Sequence, residues 1–343
     1  MTIAVVLFNL GGPDRPEAVE PFLFNLFNDP AIIGLPGPIR RPLARMISRR
    51  RAPVARDIYA KIGGRSPILA NTEAQAQALE ARLGADGLDA KVFIAMRYWR
   101  PFAEETVRAV AAAKPPQVVL LPLYPQYSTT TTASSLASWE AAARAAGLHA
   151  ETRAICCFPA ERGFVRAVTE AMREKLAAWS GAPPRVLFSA HGLPKKVIRR
   201  GDPYQWQAER TAGAIAAAAG VPDWVVCYQS RVGPLEWIGP STDAEIRRAG
   251  QERKAVMVVP IAFVSEHSET LVEIDIEYRH LAEQAGVPVY VRVPTVSARA
   301  AFIEGLAGLV KNALQQPLPI AADGGRRLCP AEFGRCAMIA TSR

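Results

Sequence analysis

The chain is poor in the two residues most often used to bind metals: 343 residues hold four histidines and five cysteines. An odd cysteine count without a recognisable secretory leader argues against a disulfide framework. The opening stretch Met1–Asn9 lacks a charged n-region and a small-residue cleavage site. It reads as a strand, and the cytoplasm is the expected compartment. No apolar run approaches the roughly 20 residues that span a bilayer, so no transmembrane helix is expected. GxGxxG is missing although Gly11-Gly12-Pro13 follows the first strand, so a dinucleotide site is not supported. Walker A, GxSxG and HExxH sequences are also missing, which removes the main signatures of NTPases, hydrolases and zincins. The net charge is +9, yet no nucleic-acid motif accompanies it, so no nucleic-acid partner is expected.

What is present is ordinary globular composition, half hydrophobic and 21% charged, in a chain longer than one core usually supports. Two domains are expected. The positive charge is concentrated: Arg40, Arg41, Arg45, Arg49, Arg50 and Arg51 crowd one stretch beside the apolar loop Ile32-Ile33-Gly34-Leu35-Pro36. That stretch is either a solvated basic helix or a peripheral contact with anionic lipid.

Strand-like runs at Ile3–Phe8, Ala90–Met96 and Gln117–Leu123 alternate with helical patterns at Thr72–Leu83 and Ala103–Ala113. The second half repeats the style. Val186–Ser189, Trp224–Tyr228, Ala255–Ile261 and Pro288–Val293 read as strands; Tyr204–Ala219, Ser268–Ala285 and Ala298–Leu314 read as helices. Buried strands alternating with helices predict parallel, doubly wound sheets. Ser180-Gly181-Ala182-Pro183-Pro184, after a helix over Ala160–Trp179, is the strongest linker signal. The halves also echo each other: Val6-Leu7-Phe8-Asn9-Leu10-Gly11-Gly12-Pro13 against Val186-Leu187-Phe188-Ser189-Ala190-His191-Gly192-Leu193-Pro194. A duplicated Rossmann-like lobe explains this, and ligands of such sheets bind beyond the carboxyl ends of the strands.

The groups that could carry chemistry lie at those ends. His191 and His267 each follow a strand of the second half, where a neutral imidazole can bind metal or exchange protons. Glu269, Glu273 and Glu277, spaced by four, share one helical face. In the first half, Arg97-Tyr98-Trp99-Arg100 follows Met96, and Tyr124-Pro125-Gln126-Tyr127-Ser128 follows Leu123. Arginine forks suit carboxylates and aromatic faces suit a flat ligand. One side is thus shaped for a flat anionic aromatic molecule and the other for a divalent cation.

The chain resembles the ferrochelatases. The likeness rests on Leu10-Gly11-Gly12-Pro13, Ile62-Gly63-Gly64-Arg65-Ser66-Pro67, Met96-Arg97-Tyr98, the Tyr124–Ser128 segment, Phe188–Pro194, Gly201-Asp202-Pro203-Tyr204, and Val259–Phe263 running into His267, Glu269 and Thr270. These fall in order over residues 1–315. The resemblance implies insertion of Fe2+, as substrate, into protoporphyrin IX with loss of two pyrrole protons, the terminal step of haem synthesis. It implies a chelatase-like α/β fold of two Rossmann-like lobes, each a parallel four-stranded sheet flanked by helices. The expected division is residues 1–160 with a porphyrin lip, 161–316 with the metal site, and a cysteine-containing extension over 317–343. His191 and Glu269 take the metal-site positions, as ligands or proton acceptors. His267 and Phe263 share that segment. Leu10, Arg97, Tyr98, Tyr124, Ser128 and Trp237, in Gly233-Pro234-Leu235-Glu236-Trp237, take porphyrin-side positions. Glu273 and Glu277 are placed to relay protons or iron.

Some ferrochelatases carry a [2Fe–2S] cluster on cysteines near the C terminus and one upstream. Cys329 and Cys336 lie in the extension. The upstream position of the animal enzymes is Thr129 here, and Cys156 and Cys157 are the alternative, which makes four thiols. Three competing readings are a coproporphyrin III ferrochelatase, a cobalt chelatase acting on a corrin precursor, and a non-catalytic bilobed iron- or haem-binding protein. The motif set disfavours the cobalt enzyme, and intact His191 and Glu269 argue against the binding protein. The native porphyrin and the oligomeric state are left open by the sequence.

Overall fold

The computed structural model describes residues 2–230 and 235–339. Its first sheet is built on β1 (Ile3–Asn9), a run of seven residues that are all buried. β2 (Ala90–Met96) and β3 (Gln117–Pro122) flank β1 in parallel, with Asn9 level with Met96. β4 (Glu151–Ile155) extends the sheet beyond β3. The second sheet is built on β5 (Arg185–His191), flanked in parallel by β6 (Trp224–Gln229) and β7 (Val256–Pro260), with β8 (Tyr290–Arg292) at the far edge. The two halves that echo each other in sequence therefore each open on the strand next to the edge of its sheet, paired on both sides.

Period-two patterning sorts each strand between two cores. Ile3, Val5 and Leu7 of β1, Val119 and Leu121 of β3, Phe188 of β5 and Val259 of β7 all belong to one continuous apolar core between the sheets. Four helices fill it: α3 (Ile68–Ala85), α6 (Arg162–Ala177), α8 (Tyr204–Ala219) and α11 (Ala300–Gln315). The alternate residues Ala4, Val6 and Phe8 face an outer core under α4 (Ala103–Ala113) and α5 (Thr132–Ala145). Leu187, Val256 and Val258 face a corresponding outer core under α9 (Thr242–Gln251) and α10 (Tyr278–Gln284). α11, the last helix, packs on α3 and α6. That crossing is close: a Cβ on Gly163 would lie 2.3 Å from the Ala301 carbonyl oxygen.

The first sheet has five strands rather than the expected four. Residues Ile320–Ala321 (β9) add in parallel along β4, because Ala154 N–H donates to the Pro319 carbonyl and Cys156 N–H to that of Ala321. The Arg-rich stretch forms α2 (Gly37–Ala60), paired with α1 (Val19–Phe27). Ser268–Ala285, which the pattern predicts as one α-helix, divides into a π-helix over Glu269–Glu277 followed by α10. Carboxylates four apart cannot tell the two helices apart. Four lies between the 3.6 residues per turn of an α-helix and the about 4.4 of a π-helix, so the row shares a face in either.

Candidate active site

Both histidine-bearing loops leave carboxyl ends of the second sheet. His191 ends β5, level with Gln229 of β6. Its Nδ1 lies 2.9 Å from Glu269 Oε2. Ser230, directly after β6, donates its hydroxyl to the same Oε2 at 3.1 Å and also to Glu273. Its backbone N–H reaches Glu273 Oε1 at 2.8 Å, where the Tyr278 hydroxyl also donates at 3.0 Å. The His191 and Glu269 side chains keep 35% and 26% of their surface open, so a ligand can reach them. His267 is 5% exposed. Its ring packs at a tilt against Phe263 at 4.4 Å between centroids, its Nδ1 lies 3.2 Å from the Ser265 carbonyl, and its Nε2 is buried without a partner among the described residues. Phe263 in turn meets the edge of His191, with centroids 6.3 Å apart. Glu277 is exposed at the far end of the row and pairs with Lys61 of the first half at 3.3 Å.

The electrostatics separate these groups. Burial opposes charge on His191, but the Glu269 carboxylate beside it prevails and holds its pKa above the ordinary value. Burial likewise opposes charge on Glu269, and the His191 charge and hydrogen bond overcome it, down to about 2. Burial and the Glu269 charge push Glu273 upward, and burial pushes His267 downward. The site therefore favours charge on both His191 and Glu269 and opposes it on Glu273, one turn behind them. Once His191 gives up its charge, the Nδ1–H stays on Glu269 and Nε2 offers a lone pair.

The first-half residues are arranged differently. Tyr98 is buried, and its hydroxyl donates to Asp29 Oδ2 at 2.8 Å. Arg97 Nη2 reaches the same oxygen at 2.8 Å and its Nε donates to Ser134 at 2.7 Å. Leu10 is half-buried, its N–H held by the Asn9 side chain and its carbonyl by Tyr98 N–H. Gly11-Gly12 lets this loop close on its neighbours: a Cβ on Gly12 would lie 2.5 Å from Ser66, whose N–H donates to the Pro13 carbonyl. Tyr124 is buried, and burial drives its pKa upward. Ser128 donates to Asp202 at 3.0 Å. Trp237 is partly buried, its Nε1 without a partner among the described residues, and its backbone bridges to Pro194. Trp237 lines a cavity of about 400 Å3 with Lys195, Ile198 and Arg199 of the short helix α7 (Lys195–Arg199); neither His191 nor Glu269 lines it. Gly233 and Pro234 of the Trp237 motif lie outside the described residues.

The four cysteines of the tail question converge. Cys156 and Cys157 follow β4 with their sulfurs 3.3 Å apart. β9 and the segment after it bring Cys329 and Cys336 into the same buried cluster. A hydrogen bond between Cys329 and Cys336 raises the first thiol and pulls the second down to about 6. Thr129 sits nearby but donates to Asp202, at 2.7 Å from its N–H and 2.6 Å from its hydroxyl. Sequence reasoning missed Asp29, Ser230 and Gln207, each a single polar residue whose role lies in contacts far along the chain. Only Ser230, directly behind a strand end, carried a positional signal.

Two parallel sheets, each flanked by helices, define a bilobed chelatase fold. Solved structures agree: SirB from Bacillus subtilis with Fe3+ matches at a TM-score of 0.54 and 13% identity, covering 92% of this chain and 96% of that one. CbiX, the terminal enzyme for siroheme biosynthesis in denitrifying bacteria, matches at 0.50 and 16%, over 92% and 100%. At these identities the likeness concerns the fold. The ferrochelatase family model matches residues 2–314. A ferrochelatase of Phenylobacterium zucineum is 55% identical over 98% of both chains, and one of Pelagibacter ubique is 46% identical over 98% of both. The chain belongs to the ferrochelatase family, enzymes that insert ferrous iron into a porphyrin in haem biosynthesis.

Proposed function

We propose that the porphyrin is protoporphyrin IX and that His191 and Glu269 handle the iron and the two pyrrole protons. The observation that carries the assignment of the pair is the 2.9 Å contact between His191 Nδ1 and Glu269 Oε2 on two ligand-accessible side chains at the end of β5. Neutral His191 presents Nε2 as iron ligand or proton acceptor, while Glu269 supplies negative charge for the cation. Nitrogen and oxygen donors bind iron weakly enough for it to move on. The proton released from the pyrrole then has Glu273 within the same Ser230-linked network. Leu10 supplies apolar surface for the macrocycle, with Arg97, Tyr98, Tyr124 and Ser128 holding the loops around it, while Trp237 borders the neighbouring cavity beside Lys195. Anaerobic mixing with Fe2+ and each porphyrin tests the assignment. Faster loss of metal-free absorbance with protoporphyrin IX than with coproporphyrin III is expected, and the reverse order overturns it.

The pH profile gives a second check. Because Glu269 holds the His191 pKa above its usual 6.5, His191 is charged and unable to accept at lower pH. kcat/KM therefore falls on the acid side with an apparent pKa above 6.5, and Glu269→Gln, which removes the raising charge, moves that limb to lower pH. An acid limb that stays in place in the variant contradicts the pairing.

The lip supports attachment to a membrane surface. Ile32, Leu35, Ile39, Met46 and Val54 are exposed on the loop and helix that carry the arginine cluster. Apolar insertion beside basic residues suits anionic lipid, at about 1 kcal/mol per Arg near the surface. Among the described residues no helix is long and apolar enough to cross a membrane. Sedimentation with phosphatidylglycerol vesicles is expected at low salt, falling at least tenfold in Ile39→Ser/Val54→Ser. Equal binding to neutral vesicles counts against it.

The four thiols fit a [2Fe–2S] cluster. Among the described residues no three His, Cys, Asp or Glu side chains surround a single ion position. A two-iron cluster needs none, since its four cysteines are shared two to an iron, and the thiols here form two pairs. Cys156, Cys157, Cys329 and Cys336 would hold it; when bound it would supply a one-electron redox group. An anaerobic preparation is expected to contain two irons and two sulfides per chain with visible absorbance, lost in Cys329→Ser.

A further inference from the structure

Gln207 of α8 is wholly buried and spans two systems. Its Oε1 accepts from Tyr127 N–H at 2.8 Å, in the loop after β3. Its Nε2 donates to Cys329 Sγ at 3.1 Å and to Cys157 Sγ at 3.4 Å. The orientation is fixed chemically: a backbone N–H can only donate, so the amide oxygen must face Tyr127 and the NH2 must face the sulfurs. Each sulfur it touches belongs to a different pair, Cys157 with Cys156 and Cys329 with Cys336.

We infer that Gln207 is a positioning residue that sets the reduction potential of the cluster held by these cysteines, an inference that rests on the cluster reading above. Reduction adds an electron to a group already made negative by four thiolates. N–H donors aimed at the sulfurs stabilise that added charge, most strongly where water is excluded. One amide spends both its protons on this, and its carbonyl is anchored on Tyr127, so it cannot turn away. The Arg327 side chain and the Met338 backbone also hydrogen-bond Cys336, but among the described residues Gln207 is the side chain that reaches one sulfur of each pair.

The test is a redox titration of the full chain, purified anaerobically and followed by EPR, with iron and sulfide measured on each sample. Gln207→Met, similar in length and without a donor, is expected to keep its iron and sulfide. Its reduced-to-oxidised ratio at fixed potential should fall about tenfold, equal to about 59 mV for a one-electron couple. An unchanged midpoint in a fully loaded variant overturns the role of Gln207 and leaves the cluster reading standing. A wild-type chain without iron and sulfide overturns both. Should the variant fail to assemble, wild type labelled with 15N at the glutamine side-chain amide decides the matter by pulsed EPR. A hyperfine coupling from that nitrogen to the reduced cluster is expected, and its absence overturns the inference.

Discussion

Glu269→Gln lowers kcat for iron insertion by about 10³–10⁴-fold and leaves porphyrin affinity within about twofold. The upper end of what one acid–base group contributes is about 10⁴, and Glu269 is asked to do more than that alone. It orients His191, it lowers the cost of bringing a dication into the site, and it competes for the pyrrole proton. Glutamine keeps the length and an acceptor for Ser230, so the loops after β5 and β6 stay in place; only the charge goes. His191→Ala is expected to lose a similar factor, and the double variant little more than either single one, because groups that act as a unit are not additive. Porphyrin binding is followed by fluorescence and turnover by anaerobic absorbance. A double variant whose loss equals the product of the two single losses would show two groups working independently. Each single variant also loses stability, because the attraction that holds Glu269 down to about 2 disappears with either partner, and urea midpoints measure that loss separately from turnover.

How much of this was legible in the sequence follows from the range of each interaction. Alternation within β1 and β5 is local, so the strands and the placement of His191 at a strand end could be read directly. The row from Glu269 to Glu277 was legible as a face but not as a π-helix, since its spacing fits both. The fifth strand could not be seen: Ile320–Ala321 is two residues long, and its pairing with β4 depends on contacts about 165 residues away in sequence. The placement of Arg97 and Tyr98 beyond a strand end was legible, but nothing in the sequence announces Asp29, which accepts from both. The motifs Tyr124–Ser128 and Gly201–Tyr204 were legible as motifs, yet not as partners. In the fold they are sewn to each other. Gln126 donates to Thr211 and to the Ile261 carbonyl, each at 2.9 Å, so the same seam reaches the strand that leads into Phe263.

That seam turns on one carboxylate, and Asp202→Ala is expected to destabilise the protein by about 3–5 kcal/mol. Asp202 is fully buried. Its Oδ2 accepts from the Ser128 hydroxyl, Thr129 N–H and the Thr129 hydroxyl, and its Oδ1 from Tyr204 N–H at 3.0 Å. A hydrogen bond to a charged group contributes about 1.5–3 kcal/mol, and a buried donor left unpaired costs about 1–3 kcal/mol. Alanine removes all four bonds at once and strands two backbone N–H groups that cannot rotate to find other partners. The two hydroxyls can turn, Ser128 towards Thr130 at 2.9 Å, which keeps the total below a simple sum. Ser128→Ala, losing one bond of the four, should cost about 1 kcal/mol. Asp202→Asn separates charge from shape: its NH2 can face only one side of the cradle, so it meets donors with a donor and should recover less than half the loss. Urea midpoints for the three variants give the ranking. If Asp202→Ala matched Ser128→Ala, the carboxylate would be one contact among many rather than the point at which the loops after β3 and before α8 are held together.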